Sequence, residues 1–470
     1  MAVGQSRPWP LAERPLRSLG VGLGLVLGGL GLGLLPAPLA AVVGLGSLTA
    51  LLVVVRPVWG LVALAFAAPF LSAWRLAGGL TLTEGLVGAL AAGLFLGIGA
   101  RRAPGLVLTP WVLPVVAMAL GTLWGVSLAP DLAPAFLEVL RWVELGTVAI
   151  ITATLCRAEG PRRWLVAGLL VAGGLSALLG FYQFFTRTGP PSFAIGPFLR
   201  AYGTFGQPNP YGGYLAMALG PALGLALFWP AASDRWRWGS RLAAGLMGTA
   251  LGLSLSRGAL LGVAVGGLVV ALLAGRTTRW LALGGLAMTG VALLLGLGGL
   301  LPPVVAGRLA QVVAYFGVFD PRTVPLTPEN WAVVERMAHW WAALEMFATA
   351  PLFGVGPGQY TVLYPLFRVP GWEDPLGHAH NIYLHMLAEQ GVFGLTLYLL
   401  MVGSWWLLAW RTWRRGATAF DRALALGVLG SLTAVLVHNL FDNLHVHGMN
   451  VHQGLLVGLL AGCRGSEDRG

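Results

Sequence analysis

Charged residues are scarce in this chain, and lysine is absent. Of its 470 residues only 10% are charged and 57% are hydrophobic, and all 29 basic residues are arginine. Soluble globular domains carry about 25% charged residues, so this composition excludes one. It also leaves no soluble domain on which a nucleic-acid groove could form. We expect the net charge of +11 to reflect membrane topology and contact with membrane lipids instead.

Apolar segments of about 17 to 25 residues recur along the chain, which is the length needed to cross a bilayer. They predict an all-α polytopic membrane protein with about 12 to 14 transmembrane helices, of which 58–72 and 258–274 are candidate half-spans. The predicted spans are 17–35, 38–55, 58–72, 80–99, 110–127, 141–156, 162–185, 210–229, 240–256, 258–274, 279–301, 381–409, 422–442 and 448–463.

The distribution of arginine predicts the orientation of these spans. With both termini in the cytoplasm, twenty arginines fall on the cytoplasmic side and nine on the outer side, as the positive-inside rule requires. We therefore expect one membrane domain, 1–470, with an uncleaved first helix and one large extracytoplasmic loop, 302–379. Cys156 and Cys463 both fall at cytoplasmic helix ends, so neither a disulfide nor a paired metal site is implied.

The nine outer arginines break the charge rule. They are Arg75, Arg141, Arg187, Arg200, Arg257, Arg308, Arg322, Arg336 and Arg368. Arg257 lies between two apolar segments with almost no loop, so it must sit at the membrane boundary, where a planar five-donor group suits phosphate. Simple snorkelling to the lipid headgroups is the alternative.

Arg336 lies within 328–349, a predicted helix that Thr327 caps and that Pro328 begins. Its apolar side would lie at the outer interface, and Arg336 and His339 would share its polar side. An ion pair on a solvated face is the alternative for Arg336. Arg200 opens a turn-rich segment in which Gln207 and Asn209 are candidate ligands for sugar hydroxyls, unless the segment serves only turn formation and packing.

His380 marks the end of the polar stretch. If Asn381 begins a helix, 100° per residue places His380, Leu384, Leu387, Gly391 and Gly394 on one stripe. The glycines would then let a neighbouring helix approach closely. The positive end of the helix dipole disfavours imidazolium and leaves a neutral base. A structural role is the alternative for a lone interfacial histidine.

Two weaker patterns lie nearby. The glycine-rich turn from Gly354 to Tyr360 permits backbone angles that let amides converge on an anion. His445 and His447 have the spacing of a metal-binding pair, but no acidic or cysteine ligands accompany them, and we predict no metal site. For the outer histidines the default is packing and hydrogen bonding, with Asn439 and Asp442 as candidate partners.

Several of these motifs occur in an order that resembles the bacterial O-antigen ligase and polymerase superfamily. They are Ser256-Arg257-Gly258, Arg336, Pro351-Leu-Phe-Gly-Val-Gly-Pro-Gly358 and His380-Asn381 followed by Gly391 and Gly394. The resemblance implies a fold like the type C membrane glycosyltransferases. It also implies a metal-independent, inverting glycosyltransferase without a cofactor, whose donor is a glycan on a polyprenyl diphosphate such as undecaprenyl diphosphate.

The resemblance also assigns roles to residues. His380 matches the essential histidine, and Arg257 and Arg336 match the two essential arginines that would bind the donor diphosphate. Arg200 joins them on the basis of charge and position alone. Asn381, Gly391, Gly394 and His339 would support the site. The short segment after the last span gives no sign of the extra domain that some protein-glycosylating relatives carry.

The sequence leaves two acceptors open. An O-antigen ligase, the reading we favour, transfers the glycan to the lipid A core, whereas a polymerase transfers it to another lipid-linked repeat unit. Both enzymes would act at the outer face of the bacterial inner membrane. A transporter for a small anion or a lipid-linked sugar is a third possibility, but the polar residues gather at one face and not near the midplane.

Overall fold

The computed structural model describes residues 56–72, 81–101, 103–230, 232–297, 319–327 and 330–463. The predicted spans 17–35 and 38–55 lie outside the described residues, as do Arg75, Arg308, Pro328 and the parts 302–318 and 328–329 of the predicted loop 302–379.

Within the described ranges the chain forms fourteen α-helices and one short β-hairpin. The helices are α1 (Pro57–Phe70), α2 (Leu82–Gly99), α3 (Leu113–Gly125), α4 (Leu132–Leu155), α5 (Glu159–Thr186), α6 (Pro208–Phe228), α7 (Asp234–Leu253), α8 (Arg257–Ala274), α9 (Arg276–Leu297), α10 (Trp331–Thr349), α11 (Tyr360–Phe367), α12 (Ile382–Arg415), α13 (Ala419–His438) and α14 (Met449–Ala461). Strands β1 (Ala194–Ile195) and β2 (Phe198–Leu199) pair antiparallel just before Arg200.

The predicted fold class, an all-α polytopic membrane protein, is confirmed. Each of the twelve predicted spans after residue 56 coincides with one described helix. In the described part of the chain, seven helical segments are long and apolar enough to cross a membrane, and α1 and α14 are apolar but shorter. The number of twelve to fourteen spans therefore stays a prediction. Helices α10 and α11 lie in the long polar interruption before α12.

Helix α13 lies at the centre of the bundle because small residues let its neighbours approach. A Cβ atom added at Gly224 of α6 would clash with the backbone carbonyl of Ala423, and one added at Gly262 of α8 with that of Ala434. Close packing of this kind is typical of membrane helices. This close packing brings the start of α8 and the end of α13 next to the start of α6.

A buried ion pair joins α5 and α13 at the other end of the bundle. Arg162 Nε lies 2.9 Å from Asp421 Oδ1, and Arg162 Nη2 lies 3.1 Å from Asp421 Oδ2. Arg162 Nη1 also donates to the carbonyl of Cys156. This two-point geometry satisfies both buried charges, as a low-polarity environment requires.

Helix α12 differs from the prediction of one continuous stripe. Asn381 caps it and accepts hydrogen bonds from the amides of Tyr383 and Leu384. Gly391 then interrupts it with φ 64° and ψ −165°. A Cβ at Gly391 would clash with the backbone of Leu352, so this glycine admits a loop and not a neighbouring helix.

The prediction for Gly394 was also wrong, because a Cβ there would meet the side chain of Gln390 within α12. Helix α10 begins at Trp331, three residues later than predicted, and ends at Thr349 as expected. Thr327 makes the capping contacts predicted for it: its hydroxyl accepts the amide of Asn330, and its own amide donates to the Asn330 side chain at 2.8 Å.

Candidate functional site

His380 sits just outside α12 in a left-handed conformation with φ 51°. Its amide donates to Nδ1 of His378 at 3.1 Å, and its carbonyl accepts a hydrogen bond from the indole of Trp340 at 3.3 Å. Positive φ is uncommon outside glycine and marks positions that their surroundings hold in place. The backbone around His380 is therefore fixed on both sides.

Asp442 lies beside the His380 ring. Its Oδ1 is 3.5 Å from His380 Nδ1 and 3.7 Å from His378 Nε2. Burial would raise the pKa of Asp442, but the two imidazoles hold it well below its ordinary value. Both ring nitrogens of His380 are buried without a hydrogen-bond partner. The pair is thus an ionised carboxylate next to an imidazole with an unused nitrogen.

Asn439 fixes the loop that carries Asp442. Its carbonyl accepts the amide of Ile382 at 3.0 Å, and its side chain donates to the hydroxyl of Tyr398 and accepts the amide of Leu444. One residue therefore joins the end of α13 to the start of α12. This contact explains how Asp442 and His380, distant in sequence, are held together.

Arg200, Arg257 and Arg336 are brought together at the same end of the bundle. Arg200 donates to the carbonyl of Ser254 at 2.8 Å and to the Asn209 side chain at 2.7 Å. Burial, Arg336 and Arg257 together lower the pKa of Arg200 to about 10. Both of these hydrogen-bond partners of Arg200 are neutral, so neither balances its positive charge.

The other two arginines differ in exposure. Arg257 begins α8 and is exposed. Arg336 is half-buried, and its Nε has no hydrogen-bond partner. Burial lowers the pKa of Arg336, Asp442 partly offsets this effect, and Arg257 adds to it. The three guanidinium groups thus repel one another at a place where an anion would be stabilised.

We predicted that His339 shares a polar face with Arg336, but His339 is buried. It is 1% exposed, and its Nδ1 lies 3.0 Å from the hydroxyl of Tyr360. Its ring stacks on Tyr364 and lies 5.6 Å from the His380 ring. Burial and His380 lower the pKa of His339 to about 3, so it is a neutral packing neighbour of the site.

The glycine-rich turn from Gly354 to Tyr360 binds a carboxylate of the protein itself. The amides of Gly358 and Tyr360 donate to the Glu389 carboxylate at 2.7 and 2.8 Å. The amides of Val355 and Gly356 donate to carbonyls of α12. Amides of this turn thus converge on a carboxylate, as the sequence suggested, and the contact fastens the loop to the interrupted part of α12.

Residues 200 to 214 serve mainly packing, the alternative that the sequence left open. Asn209 is engaged by Arg200, and Tyr211 is fully buried with its hydroxyl bonded to the carbonyl of Ser176. Tyr214 is fully buried as well. Gln207 is exposed.

Two clusters of histidines have side chains of the types that bind metal ions. The ring nitrogens of His445 face Asn450 at 2.8 Å and Tyr398 at 3.1 Å, so neither is available. The ligand atoms of His378, His380 and Asp442 lie within 4.8 Å of one another. However, Nδ1 of His378 accepts an amide proton. A neutral His378 therefore carries its own proton on Nε2, the atom that faces Asp442, and cannot ligate through it.

Sequence reasoning listed Asp442 and His378 only among residues of default packing. The signal for Asp442 was a lone carboxylate at the end of the predicted span 422–442, where an unpaired charge is costly. His378 was two residues from a motif histidine. Glu335, beside Arg336, was not singled out.

Residues 242–399 match the family model described as O-antigen ligase. The matched range includes Arg257, Arg336, His339 and His380, whereas Arg200 and Asp442 lie outside it. Among curated proteins, no match to the chain was found.

Proposed function

Because the chain belongs to the O-antigen ligase superfamily of multi-pass membrane proteins, we propose that it is a membrane glycosyltransferase. It moves a glycan from a polyprenyl-diphosphate carrier to a sugar hydroxyl of an acceptor. The reaction takes place at the outer face of the inner membrane, with both termini of the chain in the cytoplasm. The favoured acceptor is the lipid A core, as in an O-antigen ligase.

One observation carries the proposal: three arginines that repel one another lie close to an imidazole with an unused nitrogen and an adjacent carboxylate. Arginine binds phosphate oxygens through two parallel hydrogen bonds. An imidazole backed by a carboxylate accepts a proton from a hydroxyl. The two features together suit transfer from a diphosphate to an alcohol.

In the proposed step, the acceptor hydroxyl attacks the anomeric carbon from the side opposite the diphosphate. Its oxygen forms the new glycosidic bond while its proton passes to Nε2 of His380. The bond between the anomeric carbon and the phosphate oxygen breaks, and the diphosphate leaves with the electron pair. Asp442 stabilises the imidazolium, and Arg200, Arg257 and Arg336 stabilise the charge on the leaving group. The anomeric configuration is inverted.

Metal independence is part of the proposal, since arginines bind the diphosphate and His378 contributes no ligand atom to a site with His380. The test is transfer by purified protein in nanodiscs, with a lipid-linked glycan as donor and lipid A core as acceptor, in the presence of EDTA. We expect transfer to persist in EDTA and to be lost in His380→Ala. Loss of transfer on chelation, or full activity of His380→Ala, contradicts the mechanism.

Arg368→Ala is a matched control for the arginines, because Arg368 lies on the same loop but is paired with Glu373. It should keep full activity, whereas Arg257→Ala and Arg336→Ala should not. The acceptor is decided by a deletion strain: unligated lipid-linked chains indicate a ligase, and single repeat units on the surface indicate a polymerase.

A further inference from the structure

A stripe of side chains on α10 leads from the protein surface to His380. Trp331, Glu335 and His339 are spaced four residues apart and therefore lie on one side of the helix. At its inner end, His339 lies 5.6 Å from the His380 ring. At its outer end, about 12 Å along the helix, the indole of Trp331 is 49% exposed.

The exposed indole of Trp331 packs on the protein with one of its two sides. Trp331 contacts the ring of Trp372 at 4.7 Å, and Trp372 is 8% exposed. Trp372 packs with Val334 of α10, and its carbonyl accepts a hydrogen bond from the hydroxyl of Tyr364 at 3.1 Å. An aromatic ring that is packed on one side and open on the other is suited to stacking on a ligand.

Carboxylates lie beside this ring. Glu335 is half-buried: burial raises its pKa, and His380, Arg336 and a hydrogen bond from the Trp331 side chain partly offset this rise. Asp374 is exposed in the loop that carries Trp372. Carboxylates accept hydrogen bonds from hydroxyl groups and repel phosphate. This part of the site therefore suits a neutral, hydroxyl-rich ligand and disfavours a diphosphate.

We infer that Trp331 and Glu335 form the binding subsite for the acceptor sugar. One sugar ring of the acceptor stacks on the open side of the Trp331 indole and donates a hydroxyl to Glu335, and a neighbouring part of the acceptor presents the attacking hydroxyl to His380. The arginines then bind only the donor. This assignment rests on the proposed glycosyltransferase function and adds which residues recognise the acceptor.

Tryptophan is also common at membrane interfaces, where it anchors helices. Trp124, near the end of α3, offers a control for this second role. It is also 49% exposed, but it packs on Phe353 and Phe393, 4.6 and 6.1 Å away, and not on residues of the candidate site. A pure anchoring effect should be the same at both positions.

The experiment measures transfer by purified protein in nanodiscs, with lipid-linked glycan as donor and lipid A core or a labelled lipid-linked repeat unit as acceptor. The KM for each substrate is determined at saturating levels of the other. The exposed half of an indole is about 100 Å², and its burial supports a change in binding of tenfold or more. Trp331→Ala should raise the acceptor KM about tenfold and leave the donor KM unchanged.

Trp331→Phe, which keeps a stacking ring, should return the acceptor KM close to the wild-type value. Glu335→Gln should raise the acceptor KM but not the donor KM, because removing a carboxylate beside Arg336 does not weaken diphosphate binding. Thermal unfolding of each variant separates a binding defect from loss of fold. An unchanged acceptor KM in folded Trp331→Ala, or an equal effect of Trp124→Ala, overturns the inference while the proposed function stands. A wild-type protein that transfers no glycan overturns the proposed function and this subsite with it.

Discussion

Replacing Gly391 with alanine should destabilise the protein strongly. The backbone of Gly391, with φ 64° and ψ −165°, lies in a region that essentially only glycine occupies. A Cβ there would clash with backbone atoms of Leu352 and Phe353, which cannot rotate away as a side chain can. The loop before Gly358 would have to move away from α12.

The magnitude follows from what that movement breaks. The strained backbone alone costs about 1–3 kcal/mol. The amides of Val392 and Phe393 donate to loop carbonyls at 2.9 and 3.1 Å, and those of Val355 and Gly356 donate to α12 carbonyls at 2.9 Å each. Each such bond contributes about 1 kcal/mol. Losing even two of them together with the strain predicts a loss of at least about 3 kcal/mol.

The assay is thermal unfolding in detergent, with Gly403→Ala as the control on the same helix. No atom lies within 4 Å of a Cβ at Gly403, so alanine there should be neutral or stabilise by up to about 1 kcal/mol. Transfer activity should fall in Gly391→Ala only. If Gly391→Ala unfolds at the same temperature as wild type, the interruption of α12 does not depend on glycine.

Three further predictions test the site. Asp442→Asn should lower kcat by about 10²- to 10³-fold with little change in the donor KM. The reason is that a carboxylate 3.5 Å from a charged His380 ring contributes up to about 5 kcal/mol. A fall in kcat of less than threefold contradicts the pairing of Asp442 with His380. Arg257→Lys should raise the donor KM about tenfold, since an ammonium cannot form two parallel hydrogen bonds to phosphate; Arg368→Lys is the control and should match wild type. The pKa of His339 is about 3 when folded, below its unfolded value of about 6.5, so stability should be lost as pH falls through this range. At pH 5.5 the wild type should lose about 1.4 kcal/mol of its free energy of unfolding through His339, and His339→Gln should abolish this loss. Thermal unfolding of both proteins at about pH 7.5 and 5.5 measures the difference.

Local patterns predicted what depends on local physics. Hydropathy predicted helices at all twelve described span positions because each span must satisfy its own backbone in lipid. Asn381 was expected at the start of a helix, and it caps α12. Charge asymmetry placed Arg200, Arg257 and Arg336 on one side, and the three do lie together.

Contacts between distant segments were not predictable in this way. Glu389 meets the amides of Gly358 and Tyr360 only because the loop folds back on α12. Asp442 reaches His380 only because Asn439 joins α13 to α12. The interruption at Gly391 has no signature in a periodic pattern, since helix periodicity continues on both sides of it.

The charge balance of the site predicts strong inhibition by the released carrier. Two carboxylates, Asp442 and Glu335, act on Arg336, and Asp442 already faces two imidazoles, so the three guanidinium groups outnumber the negative charges near them. The donor diphosphate supplies the missing negative charge, and breaking the glycosidic bond adds roughly one more negative charge to its terminal phosphate.

The arginines should therefore bind the polyprenyl diphosphate product more tightly than the donor. Added polyprenyl diphosphate should inhibit transfer with a Ki below the donor KM, and Arg257→Lys should raise both constants together. Polyprenyl monophosphate, with less charge, should inhibit more weakly. A Ki well above the donor KM would mean that the arginines do not bind the leaving group, and the mechanism would need another residue to stabilise its departure.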